Sequence, residues 1–109
     1  MIKSLITTLF ITIITLISGI VPVNAEWATY TTCAYTANEA PNLTASGEVP
    51  FYGGVACNDL PLGTIVIING ERFVVNDRSG TPGIIDIFMY SYEDAINYGV
   101  QTVPVYIER

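Results

Sequence analysis

Thr64-Ile65-Val66-Ile67-Ile68-Asn69-Gly70-Glu71-Arg72-Phe73-Val74-Val75-Asn76 is the stretch on which the fold turns. Two runs of β-branched and aromatic residues flank an Asn-Gly step, which supplies the two positive φ angles of a type I′ turn whose twist matches that of paired strands. The stretch therefore predicts a β-hairpin, Thr64 to Ile68 and Glu71 to Asn76. Toward the C terminus, Asp77 to Gly83 is a Gly/Pro/Ser turn, and Ile84 to Met89 is apolar enough for a buried strand. Ser91 then opens a short helix. It caps the N terminus, Asp94 three residues on completes a box-like pair, and Gly99 stops the helix. Val100 to Glu108 reads as a last strand, in which Pro104 suggests an edge or a bulge. Toward the N terminus, Trp27 to Ala37 is rich in Thr, Tyr and Ala and reads as a strand. Between it and the hairpin, Asn38 to Gly54 carries Pro41, Gly47, Pro50, Gly53 and Gly54, a long irregular connection of the kind that often carries function. No internal repeat is visible. The sum is five or six short strands with one helix, an all-β pattern that suits a small barrel or sandwich.

The first residues have a different character. Lys3 is followed by an uncharged apolar stretch from Leu5 to about Val23, and Val23-Asn24-Ala25 places compact residues where a signal peptidase cuts. We read residues 1–25 as a signal peptide and residues 26–109 as one mature domain. The same run is barely long enough to serve as a retained anchor. Of 109 residues, loss of 25 leaves 84, enough for a single domain with a marginal core. The whole chain carries a net charge of −6, and loss of Lys3 leaves the mature domain more negative by a single unit. Arg72, Arg78 and Arg109 then face ten carboxylates, which argues against nucleic acid or an anionic membrane as partner and favours a neutral or polycationic polymer. An exported chain meets oxidants, so Cys33 and Cys57 could form a disulfide; two buried thiols are the other reading.

The chain has no histidine, which excludes Ser-His and Cys-His nucleophile systems and His-type zinc sites. No metal or other cofactor is expected. Two carboxylates stand out by context. Asp77 ends a hydrophobic strand and begins a glycine turn, and Asp86 sits inside the apolar run Ile84-Ile85-Asp86-Ile87-Phe88. A carboxylate among core residues must be hydrogen-bonded, paired or held protonated, and a protonated acid is what glycosidic cleavage needs. The plainer reading gives Asp77 a turn-forming role and has Asp86 cap backbone amides or pair with Arg78. Trp27, Tyr30, Tyr35, Tyr52 and Tyr90 are candidates for stacking on sugar faces, although aromatics in so small a domain more often fill the core or its rim.

Several of these segments in order carry a resemblance: Thr44-Ala45-Ser46-Gly47-Glu48, Leu60-Pro61-Leu62-Gly63-Thr64, Val75-Asn76-Asp77-Arg78, Ile85-Asp86-Ile87, then Ala95 and Tyr98-Gly99. Together they resemble the double-psi β-barrel of bacterial wall proteins, in the 3D (three-aspartate) branch found in lytic transglycosylase A and in the rare lipoprotein A branch related to expansins. The resemblance spans about Tyr30 to Ile107. It implies a six-stranded double-psi barrel, a cell-envelope or secreted location, peptidoglycan or another polysaccharide as partner, and a peptidoglycan lytic transglycosylase activity. By the same resemblance Asp77 is the catalytic acid/base and Asp86 its neighbour in the cleft, with Ser46 and Thr64 orienting acid or sugar. Cys57 stands where the family has Asp or His, and Asp59 is the residue that could reach the same space. That departure keeps open a second expectation, a non-catalytic, expansin-like wall-binding module.

Overall fold

A computed structural model describes residues 26–38 and 42–108. The expected leader, residues 1–25, lies outside that range, as does Pro41. The described chain is a closed six-stranded barrel with one short helix: β1 (Glu26–Tyr35), β2 (Gly54–Cys57), β3 (Ile65–Ile68), β4 (Glu71–Asp77), β5 (Ile84–Phe88), α1 (Tyr92–Tyr98) and β6 (Gln101–Glu108). No helix among the described residues is long and apolar enough to cross a membrane.

Around the barrel the strands run β1-β5-β2-β4-β3-β6 and close on β1. Two contacts are parallel, β1 with β5 and β2 with β4, and the other four are antiparallel. Exchanging the first three strands with the last three reproduces the whole set of pairings. The β1–β2 connection reaches β4, where the Ser46 N–H donates to the Asn76 carbonyl at 3.0 Å, and the Thr31 N–H donates to the Gly83 carbonyl at 3.2 Å, extending the parallel β1/β5 ladder by one residue before the Thr31–Ile84 pair.

The predicted hairpin forms with both turn residues in the left-handed region, Asn69 at φ 51° and Gly70 at φ 82°. Alternation along the strands fills the interior with Val55, Cys57, Val66, Ile68, Phe73, Val75, Ile85, Ile87, Val105 and Ile107. Helix α1 has the expected ends: the Ser91 side chain accepts from the Asp94 N–H at 3.0 Å, and the Gly99 N–H returns to the Ala95 carbonyl. Ala95 is the helix residue buried against the barrel.

Three expectations need correction. β2 is not anticipated: Gly54 reads as the end of the irregular connection and Val55 to Cys57 fall in no expected element, because Gly54 and Ala56 have little strand propensity of their own; pairing with β4 and β5 on its two sides makes it a strand. β6 is not an edge, since it pairs with β1 and β3. Pro104 lies within β6, paired with Thr29 of β1 and one residue beyond the last β3 pair, Ile68 with Val105. The Cys33–Cys57 disulfide does not form, and both thiols are free. Cys57 points into the core, whereas Cys33 is on the outer face of β1, so the barrel wall separates the two sulfur atoms.

Candidate active site on the barrel wall

Asp77 owes its position to a break in alternation. Phe73 and Val75 of β4 point into the core, and a regular strand would send Asp77 after them. The pairing with β2 runs Gly54 with Val74, Val55 with Val75, then Ala56 with Asp77, so Asn76 is an extra residue opposite one step of β2. A bulge of this kind turns two consecutive residues to one side and re-aims the second. Asp77 thereby joins Ala56 on the outer face. Asn76 turns its amide onto the bare Cα of Gly54; it is 2% exposed, and neither its amide nitrogen nor its oxygen has a hydrogen-bond partner.

The outer row continues across the wall. Ala56 pairs with Asp86 on β5, and Asp86 pairs with Cys33 on β1. The two aspartates are therefore two strands apart, roughly 10 Å between their Cα positions at ordinary strand spacing. Only the methyl group of Ala56 stands between them in the row.

Asp77 is oriented by the main chain. Its Oδ1 accepts from the N–H of Ala45 at 3.0 Å and of Arg78 at 2.8 Å, while Oδ2 meets the Tyr35 hydroxyl at a long 3.5 Å. Asp86 accepts from the Cys33 thiol at 2.6 Å. Burial, then the charge of Asp77 and the hydrogen bond to it, then Asp86, push the Tyr35 phenol up to about 12. Burial and the adjoining Asp86 push the Cys33 thiol from 9.0 to about 12. Both groups are thus neutral donors facing carboxylates, and neither is a ready nucleophile.

Arg78 does not pair with Asp86. Its guanidinium is turned under the β2–β3 connection, where one nitrogen donates to the carbonyls of Cys57 at 2.8 Å and Leu60 at 2.6 Å. The one ion pair among the described residues is Arg72 with Glu108, at 3.3 Å. The carboxylates of Asp77 and Asp86 therefore face outward without a described cation in contact.

The remaining sequence candidates distribute as follows. Ser46 lies in the turn that delivers the Ala45 N–H, with its hydroxyl on Thr44 at 2.9 Å and donating to Glu48 at 2.7 Å. Tyr35 is in contact with Asp77. Thr64 is buried, its N–H on the Pro61 carbonyl and its own carbonyl accepting from Val75. Asp59 accepts from the Gly83 N–H at 2.7 Å and so anchors the β4–β5 connection. Cys57 is fully buried, and burial raises its thiol pKa against the opposing effect of the Asp59 and Leu60 N–H groups. It belongs to the core and cannot line the outer row. Tyr30 is buried as well, and Trp27 packs edge-on against Tyr106.

Sequence reasoning missed Cys33 as a neighbour of Asp86, although the alternation Thr31, Cys33, Tyr35 against the buried Tyr30 and Thr32 was there to place it. It also missed Phe88, which continues the outer face two residues beyond Asp86 and meets Tyr35 edge-on at 5.4 Å. Comparison of the chain with protein-family models, with curated proteins and with solved structures finds no match.

Proposed function

We propose that the chain is an exported glycan-cleaving protein, a peptidoglycan lytic transglycosylase in which Asp77 is the acid/base. The observation that carries this reading is the presentation of Asp77. A bulge turns it out of the core, two N–H donors occupy Oδ1, and Oδ2 is left toward the outer row with Asp86 across the Ala56 methyl. The leader-like N terminus and an order of motifs that resembles the 3D-domain barrels support it.

A hydrolase needs two carboxylates spaced for water or for a covalent intermediate. A lytic reaction needs one. Asp77 Oδ2 gives its proton to the glycosidic oxygen as the bond from C1 to that oxygen breaks, and positive charge develops on the muramic ring. The resulting carboxylate then takes the proton of the ring's own 6-hydroxyl, whose oxygen bonds to C1 and closes a 1,6-anhydro ring. Asp86 faces the developing charge across the Ala56 methyl, and Tyr35 keeps Oδ2 oriented.

Digestion of purified peptidoglycan should release anhydro-ended muropeptides detectable by mass spectrometry. Asp77→Asn should lower their yield at least about a hundredfold while leaving the fold intact, the ordinary scale for loss of a general acid. Equal yields from the variant and the parent chain would refute the assignment.

The second reading, a non-catalytic wall-binding module, is favoured by one specific observation. The acid or imidazole that the resembled families carry four residues before Pro61 is replaced by Cys57, which is buried in the core. Sedimentation with cell walls in the absence of any anhydro product would support that reading instead.

A further inference from the structure

From Asp77 a chain of aromatic side chains runs along the barrel. The Tyr35 hydroxyl meets Asp77, the Tyr35 ring stands edge-on to Phe88 at 5.4 Å, and Phe88 stands edge-on to Tyr90 at 5.3 Å. The Tyr90 hydroxyl accepts from the Tyr52 N–H at 3.3 Å, and the Tyr52 hydroxyl donates to Glu71 at 2.8 Å. Period-2 spacing places Phe88 on the same face as Asp86, and Tyr90 follows two residues later. Phe88 is buried beneath its neighbours, whereas Tyr90 is 72% and Tyr52 42% exposed. The strip therefore offers open ring faces between a carboxylate pair at one end and Glu71 at the other.

No described cation balances these acids. Arg78 is spent on two carbonyls, and Arg72 is paired with Glu108. A ligand that fits must bring flat apolar faces for the rings and positive charge for the carboxylates. Ammonium groups beside phenol rings gain twice, from the charges and from the ring faces. An anionic polymer is repelled, and a fully acetylated glycan leaves the acids without a counter-charge.

We propose that this strip binds a glycan strand whose amino sugars carry free amines, an N-deacetylated and hence polycationic polysaccharide. The proposal rests on the glycan-acting reading above and adds the charge of the strand. Tyr90 and Tyr52 stack on sugar rings, while Glu71 and Asp86 each take an ammonium group at C2.

The test is calorimetric titration of the protein with a glucosamine hexamer and with an N-acetylglucosamine hexamer, in a weakly acidic buffer of low salt that keeps the amines protonated. The glucosamine hexamer should bind at least about tenfold more tightly, a difference of about 1.4 kcal/mol. The preference should shrink as salt is added, Glu71→Gln should reduce it, and Tyr90→Ala should weaken both oligomers. Equal affinity, tighter binding of the acetylated oligomer, or no binding of either overturns the proposal. So does equally tight binding of a lysine hexamer, which has the charges without the ring faces. Release of anhydro muropeptides is measured separately, so loss of the preference with lysis intact discards the charged strand and keeps the cleavage reading. Loss of lysis with the preference intact does the reverse.

Discussion

Cys33 shows how a neighbouring carboxylate decides what a side chain can do. It lies on the outer face, yet burial and Asp86 hold its thiol near 12 against an ordinary 9.0. At neutral pH this leaves about a thousandfold less thiolate than an unperturbed cysteine has. Native protein should therefore resist iodoacetamide at Cys33, as it should at the core residue Cys57, and label at both only after unfolding. Asp86→Asn removes the charge that opposes ionisation and should raise Cys33 labelling at least about tenfold, read by mass spectrometry of the intact chain. Unchanged labelling would mean that burial alone silences the thiol. Asp77 differs in kind, because the partners of its Oδ1 are backbone N–H groups that no side-chain substitution removes.

The bulged strand pair β2/β4 is the element on which the site depends. Gly54 is required there because a Cβ would run into the Asn76 amide, reaching 2.8 Å from both its carbon and its oxygen. Gly54→Ala should destabilise the barrel by about 1–3 kcal/mol, the usual scale for overpacking. Asn76→Ala removes two buried polar atoms that have no partner, so its own effect should be small. The double variant should recover most of the loss, a non-additivity that urea unfolding measures directly. Additive losses would show that the two residues do not share the space between β2 and β4. The hairpin at Asn69-Gly70 was legible because its turn chemistry is local. The bulge was not, since an extra residue in β4 exists only relative to β2, twenty residues earlier in the chain.

At the scale of the molecule, the barrel is two interlocked halves with closure at the termini. Glu26 pairs with Ile107, so the described ends lie side by side on β1 and β6. A circular permutant opened at the Asn69-Gly70 turn, with a short flexible linker from Glu108 to Glu26, begins with the second half and ends with the first. It should fold to the same circular dichroism spectrum, because every strand pair is kept and only one hairpin connection is lost. Failure to fold would make that hairpin indispensable to assembly. The outer row also gives the whole barrel an alkaline weakness. Cys33 and Tyr35 ionise near 12 in the folded chain, against ordinary values of 9.0 and 10.0. Above about pH 9 the unfolded chain gives up these protons first, so stability present below that pH is lost as pH climbs toward 12. Thermal melting should be flat through neutral pH and fall from about pH 9 upward. Cys33→Ser should make that fall shallower, with Cys57, whose thiol burial also raises, keeping its onset near pH 9, and a melting temperature indifferent to alkali would refute the coupling.

The hairpin, the helix with its Ser91 and Gly99 ends, the buried run around Asp86 and the absence of imidazole chemistry were all determined by the sequence alone, because each depends on residues within a few positions of one another. The small all-β class followed from them. Tertiary structure decided the rest. It made β2 a strand by pairing it on both sides, and it placed Cys33 and Cys57 on opposite faces of one wall. It also brought a β1 tyrosine to a β4 aspartate and turned Asp77 outward by a bulge. The two halves repeat in pairing although they do not repeat in residues, since strand pairing is made by main-chain groups that every residue carries. A site assembled from β1, β2, β4 and β5 is a property of register between distant segments, and register is set when the barrel closes.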